Sequence, residues 1–201
     1  MPETDKLFAG GMPALYERIL VPMIFEPYAR ATAERLAVHR PRTVLEVAAG
    51  TGVLTRAMAA SLGPDARIVA TDLNQPMLDM AMASQGPDSR ISWQQADGLA
   101  LPFDDQCFDA VACQFGVMFF PDKVKGFSEA RRVLKPTGCY IFSVWDKLDA
   151  NEAIDVACQA LAGLFPGDPP RFMERVPHGY FDLGIIRSDL QKAGFSLSNA
   201  E

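Results

Sequence analysis

The chain has 201 residues, 49% of them hydrophobic and 22% charged, with a formal net charge of −6. That size and balance suit one compact domain with a sizeable core and exclude global disorder. No basic run offsets the acidity, which argues against nucleic acid as a partner, because phosphate-rich polymers are gripped by clustered Lys and Arg.

The first ten residues carry Glu3, Asp5 and Lys6 without an apolar run and do not read as a signal peptide. Residues 13–38 read as helix interrupted at Pro22 and Pro27, with Glu26-Pro27 a fresh start, since Pro is tolerated at the first helical position. Ala29, Ala33 and Leu36 then share a face. Residues 1–41 are thus expected to form an N-terminal helical cap, and 42–201 the main unit. From Thr43 the pattern changes. Thr43-Val44-Leu45-Glu46-Val47 is a β-branched, mostly apolar run, ended by Gly50 and Gly52, and Leu54, Ala57, Met58 and Leu62 follow at helical spacing. Residues 67–71 give a second strand, and Met77, Leu78, Ala81 and Met82 a second helix. Residues 91–95 and 108–113 give a third and a fourth strand. Val124, Phe127, Arg131 and Leu134 mark a helix ending before a Pro136-Thr137-Gly138 turn, and residues 139–145 a fifth strand.

Residues 151–165 read as an apolar helix, 166–177 as a proline-rich loop and 188–193 as a short helix closed by Gly194. Segment 146–187 is expected to act as a lid insertion. A sixth strand begins at 195–197, four residues before the end; such sheets normally carry one more hairpin strand, so a truncated chain is the expectation. Four cysteines without C-x-x-C spacing or a His/Cys cluster point to reduced thiols, a cytoplasmic setting and no metal site. No apolar stretch is long enough to span a bilayer. The oligomeric state is not legible.

Strands alternating with helices argue an α/β fold: a Rossmann-like, mostly parallel sheet with helices on both faces. Ligands of such sheets sit beyond the carboxyl ends of the strands, at the switch point beside the first strand, which is where residues 48–51 fall. Small residues there let a ligand lie against bare backbone. Asp72, ending the second strand 20 residues after Gly52, can accept hydrogen bonds from ribose hydroxyls. A dinucleotide fingerprint is the rival reading. Gly50 and Gly52 fit its first two positions, but the third falls on Thr55, which argues against a nicotinamide-dependent oxidoreductase.

Five stretches in order now resemble the motifs of class I S-adenosylmethionine-dependent methyltransferases. They are Leu45-Glu46-Val47-Ala48-Ala49-Gly50-Thr51-Gly52, Asp72-Leu73-Asn74 with Met77-Leu78, and Gln95-Ala96-Asp97-Gly98-Leu99-Ala100-Leu101-Pro102-Phe103, then Phe108-Asp109-Ala110-Val111 and Arg131-Arg132-Val133-Leu134-Lys135-Pro136-Thr137-Gly138. The resemblance covers residues 42–145 and is nearest to the ubiquinone/menaquinone-biosynthesis-like (methyltransferase type 11) subgroup. One departure is Ala48, where the family usually has Gly. The resemblance implies S-adenosyl-L-methionine as cofactor and S-adenosyl-L-homocysteine as product. It implies that Asp72 holds the ribose, that Asp97 accepts from the adenine amino group with Ala96, Gly98 and Leu99 nearby, and that Leu73 and Met77 flank the adenine. It further implies that Ala48, Gly50, Thr51 and Gly52 line the methionine end, with Glu46 beneath, and that Gln114 and Phe115 close the pocket.

The cofactor is already activated, so alignment alone supplies about 7–11 kcal/mol and no catalytic signature is obligatory. His178, beside Tyr180 and Asp182 in the lid-like segment, is the candidate general base, with loop packing its alternative. Tyr16, Phe25 and Tyr28 on the N-terminal helices either pack as ordinary helix residues or face the sulfonium, where a cation–π contact is available. After the fourth strand the chain lacks the Asn/Asp-Pro-Pro-Tyr, Pro-Cys and paired-Glu signatures of DNA and arginine methyltransferases. Val117, Met118, Phe119 and Phe120 instead make this exit apolar, favouring a small, apolar, aromatic or lipid-like acceptor. Methylation on oxygen, nitrogen or carbon stays open. A non-catalytic, S-adenosylmethionine-binding regulatory domain is the alternative, because binding motifs do not report turnover.

Overall fold

Five short apolar runs pair side by side into one parallel sheet in the computed structural model, which describes residues 11–196. The strands are β1 (Thr43–Val47), β2 (Arg67–Asp72), β3 (Ile91–Gln95), β4 (Phe108–Gln114) and β5 (Leu134–Ser143), in the order β3-β2-β1-β4-β5. The intervening helices are α3 (Val53–Ser61), α4 (Gln75–Gln85) and α5 (Lys123–Val133), preceded by α1 (Met12–Leu15) and α2 (Glu26–Val38) and followed by α6 (Glu152–Leu164), α7 (Phe172–Arg175) and α8 (Leu183–Lys192). No described helix is long and apolar enough to cross a membrane.

Side chains of a strand alternate between the two faces. Val44, Ile68, Ala110 and Ala112 join Ala29, Ala33 and Leu36 of α2 and Leu54 and Met58 of α3 in one core. Leu45, Val47, Val111 and Cys113 join Phe127, Ala130 and Val133 of α5 and Ile186 and Leu190 of α8 in the other. Both faces are covered, which is why the central strands read as unbroken apolar runs rather than as alternating ones. The strand order reverses beside β1, so the ends of β1 and β4 diverge into a crevice.

Five expectations are corrected. Pro22 does not interrupt the first helical segment, whereas α2 does start at Glu26 with Pro27 in its first turn, as expected from the sequence. Residues Tyr16–Phe25 run as a π-helix between α1 and α2, with the Glu26 amide reaching back to the Val21 carbonyl. A proline donates no amide and crowds the carbonyl one turn back, and the wider register accommodates it without a break. The fifth strand starts at Leu134 rather than residue 139: Leu134 caps α5 through its amide to the Ala130 carbonyl and at once pairs with Phe108. Pro136 disfavours helical geometry for the residue before it, so the helix stops early. Pro136-Thr137-Gly138 then forms an irregularity within the strand, between the Phe108↔Leu134 and Ala110↔Cys139 pairs. The last helix begins five residues sooner than expected, because the Asp182 side chain accepts the Gly184 and Ile185 amides at 2.7 and 3.0 Å and caps it. The proline-rich loop contains α7. The proposed sixth strand lies partly outside the described residues, and its two described members, Phe195 and Ser196, are not in a strand. Phe195 instead stacks on Tyr140 of β5, ring centroids 5.7 Å apart.

Candidate functional site

The turn after β1 is built from backbone that bends left-handed three times in five residues: Ala48 (φ +57°), Gly50 (+57°) and Gly52 (+81°). At Gly52 a Cβ would lie 3.0 Å from both the Ala81 Cβ and the Trp93 ring, so conformation and space both demand glycine. The Asp72 carboxylate fixes the turn. Its Oδ2 accepts the Gly50 amide at 2.9 Å and its Oδ1 the Asn74 amide at 2.8 Å. Register explains the placement, since Val47 pairs with Thr71 and the next residue of β2 stands beside the turn. Burial pushes the Asp72 carboxyl above its ordinary value, against those hydrogen bonds.

Beneath the turn, Glu46 is buried (1% exposed) and accepts the Thr55 hydroxyl at 2.5 Å. Burial pushes its carboxyl up to about 8; the Thr55 bond and the Arg56 charge oppose this more weakly. Thr55 occupies the position of the third fingerprint glycine, and its hydroxyl is what reaches the carboxyl. Arg56 closes the network, donating to the Thr51 carbonyl at 2.8 Å and pairing with Glu17 at 2.7 Å.

Ala48 is the strained member. A left-handed conformation costs an L-residue about 1–2 kcal/mol. Glycine also carries more unfolded-state entropy, which offsets part of that relief. Ala48→Gly is therefore expected to stabilise the fold by about 0.5–1 kcal/mol, raising Tm by roughly 2–3 °C. Urea unfolding checks it, and a lower midpoint would mean that the Ala48 methyl matters more as packing than as strain.

Beside the turn lies an aromatic cluster. Phe115 (φ +52°) follows β4, and its ring stacks on Trp145 with centroids 3.8 Å apart and planes 5° off parallel. Phe25 packs on both at 5.7 and 6.0 Å, and Tyr28 meets both edge-on at 5.1 and 5.4 Å. Tyr16 stacks on Phe25 at 4.9 Å. Burial first, then the Asp72 and Glu17 charges, hold its phenol well above the ordinary range, which brings the cap within electrostatic reach of Asp72. Tyr28 is exposed while Phe25 and Phe115 are buried, so the cluster has one open flank.

His178 stands at the edge of this cluster, 6.2 Å from Trp145 and 4% exposed. Its Nδ1 lies 2.7 Å from the Asp146 carbonyl. A carbonyl can only accept, so Nδ1 carries the hydrogen and Nε2 is the ring's acceptor.

The remaining sequence-selected residues fall along the same edge of the sheet. Ala96 hydrogen-bonds Asp72 through the backbone at 3.0 Å. Asp97 is exposed, with Oδ1 taking the Leu99 amide at 2.9 Å. Gly98 is buried against Phe120 and Val47. Leu73 is exposed, whereas Met77 is buried with its methyl against Gly50. Three buried polar atoms of the site have no hydrogen-bond partner among the described residues: Glu17 Oε2, Thr51 Oγ1 and Gln114 Oε1. Sequence reasoning missed Trp145, Thr55, Arg56 and Glu17. An aromatic immediately before a polar Asp146 at a strand end was the only signal for Trp145. No group of three or more metal-ligating side chains gathers among the described residues.

Residues 17–161 match the ubiE/COQ5 methyltransferase family. The demethylmenaquinone methyltransferase of Deinococcus radiodurans is 37% identical over 137 residues, covering 67% of this chain and 56% of the relative. The ubiquinone/menaquinone biosynthesis C-methyltransferase UbiE of Hahella chejuensis is 35% identical over 182 residues, 85% of this chain and 73% of the relative. The chain thus spans between about half and three quarters of the length of these relatives. Among solved structures, a Bacillus halodurans protein described as a methyltransferase superposes with a TM-score of 0.63 at 26% identity, over 85% of this chain and 70% of that one. A Methanococcus maripaludis protein shares the fold with a TM-score of 0.72 at 21% identity, over 98% and 90%.

Proposed function

The chain belongs to the ubiE/COQ5 family of class I S-adenosylmethionine-dependent methyltransferases, and from that premise we propose that it methylates a ring carbon of a small, apolar aromatic acceptor of the quinone-precursor kind. One observation carries the acceptor class: the cluster of Phe25, Tyr28, Phe115 and Trp145 stands beside the glycine turn with an open flank. Flat aromatic faces favour a flat, apolar partner over a charged one. The relatives' names supply the carbon as the methylated atom.

The residues present suit the cofactor. Thr51 Oγ1 can donate to a carboxylate, and Gln114 Oε1 can only accept, which suits an ammonium; together these two unpartnered atoms match the zwitterionic end of S-adenosylmethionine. Asp72 would take the ribose hydroxyls. Asp97, with Ala96, Gly98 and Leu99, would take the adenine edge, and Leu73 and Met77 its faces. Ala48, Gly50 and Gly52 would let the methionine chain lie close to backbone, and Phe115 would close the far side. When bound, the cofactor supplies an electrophilic methyl group on a sulfonium.

The chain's own work is then alignment and proton removal. The aromatic cluster holds the acceptor ring and excludes water. Methylation at a ring carbon would leave a ring proton to be taken up by a side chain. His178 Nε2 is the assigned base, because the Asp146 carbonyl keeps the hydrogen on Nδ1. Glu46, protonated near neutrality, keeps the turn in place instead. The same reading makes residues 1–41 a cap and 146–187 a lid. It assigns the chain to the cytoplasm, with four free cysteines in support.

Methyl-labelled S-adenosylmethionine with a demethylated naphthohydroquinone tests this. Label is expected on the ring carbon. Trp145→Ala is expected to raise the acceptor KM about tenfold, with cofactor affinity unchanged. Binding of the cofactor without transfer to any aromatic acceptor would favour the non-catalytic reading, and binding of NAD instead would favour the oxidoreductase.

A further inference from the structure

We propose that Gln114 is a positioning residue that couples the cofactor's amino-acid end to the N-terminal cap, so that cofactor occupancy orders the acceptor seat; this rests on the methyltransferase reading above. Gln114 ends β4, two residues past Ala112, the pairing partner of Glu46. It therefore stands beside the glycine turn. The neighbouring Gly116 has no room for a side chain, since a Cβ there would meet the Ala48 methyl. One side of the Gln114 amide is committed: Nε2 donates to the Phe25 carbonyl at 3.2 Å. A carbonyl cannot donate, so this bond fixes which way the planar amide faces. Oε1 is then held inward, buried and without a donor. A buried acceptor left unpaired is costly, and a ligand N–H relieves that cost.

The tethered residue is what makes this a coupling. Phe25 is the last residue of the π-helical segment, where the wide register gives way to α2. Its carbonyl is held by Gln114, and its ring forms part of the acceptor seat against Phe115 and Trp145. One side chain thus joins the cofactor's ammonium position to the residue bearing the seat. A π register is rare and is found frequently at functional sites. Coupling between two sites is reciprocal, so ordering of the cap strengthens cofactor binding as much as the cofactor orders the cap.

Hydrogen exchange of the whole chain tests this, with two probes: S-adenosylhomocysteine and 5′-methylthioadenosine, which has the nucleoside but no amino-acid end. In the unaltered protein both are expected to bind, and only S-adenosylhomocysteine to slow exchange across residues 16–38. Gln114→Leu is expected to weaken S-adenosylhomocysteine about tenfold, to leave methylthioadenosine unchanged and to abolish protection of the cap. Gln114→Glu keeps an acceptor but loses the donor to Phe25, so it should bind S-adenosylhomocysteine without protecting the cap, a separation that a merely structural residue would not give. Equal protection by both probes, or protection surviving in Gln114→Glu, overturns the coupling while leaving the methyltransferase reading intact. Failure of both probes to bind the folded, unaltered protein overturns that reading and the coupling with it.

Discussion

Asp72→Ala is expected to lower affinity for S-adenosylhomocysteine by about a hundredfold or more. Two losses combine. Hydrogen bonds from a carboxylate to both ribose hydroxyls are of the charged kind, worth about 1.5–3 kcal/mol each. The same carboxylate holds the Gly50 and Asn74 amides, so its removal also frees the left-handed turn against which the ligand lies. Asp72→Asn offers a single carbonyl oxygen and can serve one of those amides, so it should recover only part of the binding. Titration calorimetry with circular dichroism on the same samples reads both effects. Affinity within a few-fold of the unaltered protein would remove Asp72 from the ribose site and leave it a loop anchor only.

Glu46→Gln is expected to make the protein more stable than the original at alkaline pH and similar to it in acid. The Glu46 carboxyl has an ordinary value of 4.5 and is held at about 8 in the folded chain. Between those values the unfolded chain is ionised there while the folded chain keeps its proton. The folded state binds more protons, so stability falls as pH rises through that window. The contribution is fully present below about 4.5 and lost above about 8. At about 1.4 kcal/mol per pH unit, the upper limit is about 5 kcal/mol across the window. The glutamine amide is neutral, as a protonated carboxyl is, and its carbonyl oxygen can accept the Thr55 hydroxyl, so the variant keeps that bond and removes the titration. Urea unfolding at pH 4 and pH 8.5 should give near-coincident curves in acid and a gain of a few kcal/mol for the variant in base. An equal pH slope in both proteins would mean that water reaches Glu46 and that its burial is incomplete.

Both expectations rest on residues that the chain itself announces. Glu46 is the one charged residue of a mostly apolar strand, next to its end, and Asp72 ends the next strand, 20 residues beyond Gly52. The central strands β1, β2 and β4 were legible because they are largely buried, which leaves few polar residues in the run; β3, half-exposed, was legible from the turns that bound it. β1 and β3 were read to their observed ends, and β2 and β4 to within one residue, because glycines, prolines and aspartates punctuate them. The α5–β5 junction failed for the opposite reason. Helix and strand abut there without a loop, and only Leu134 pairing with Phe108 decides which element owns it. The Asp182 cap was a local signal present in the sequence and overlooked, next to Gly184.

The sequence by itself determined the alternation of strands and helices, the left-handed glycine turn and the carboxylate beside it. These depend on periodicity and on backbone torsions, properties that neighbouring residues set among themselves. Only the tertiary structure decided what surrounds the turn. It brings Gln114 to the Phe25 carbonyl across 89 residues, seats Phe115 on Trp145 and tucks Thr55 onto the carboxyl of Glu46. It also carries Pro22 within a π register rather than at a break, because the cap is held down by packing through Val21 and Phe25 rather than by its own hydrogen bonds alone. Such pairings arise from sheet order and from which faces are covered, and no local pattern carries that information.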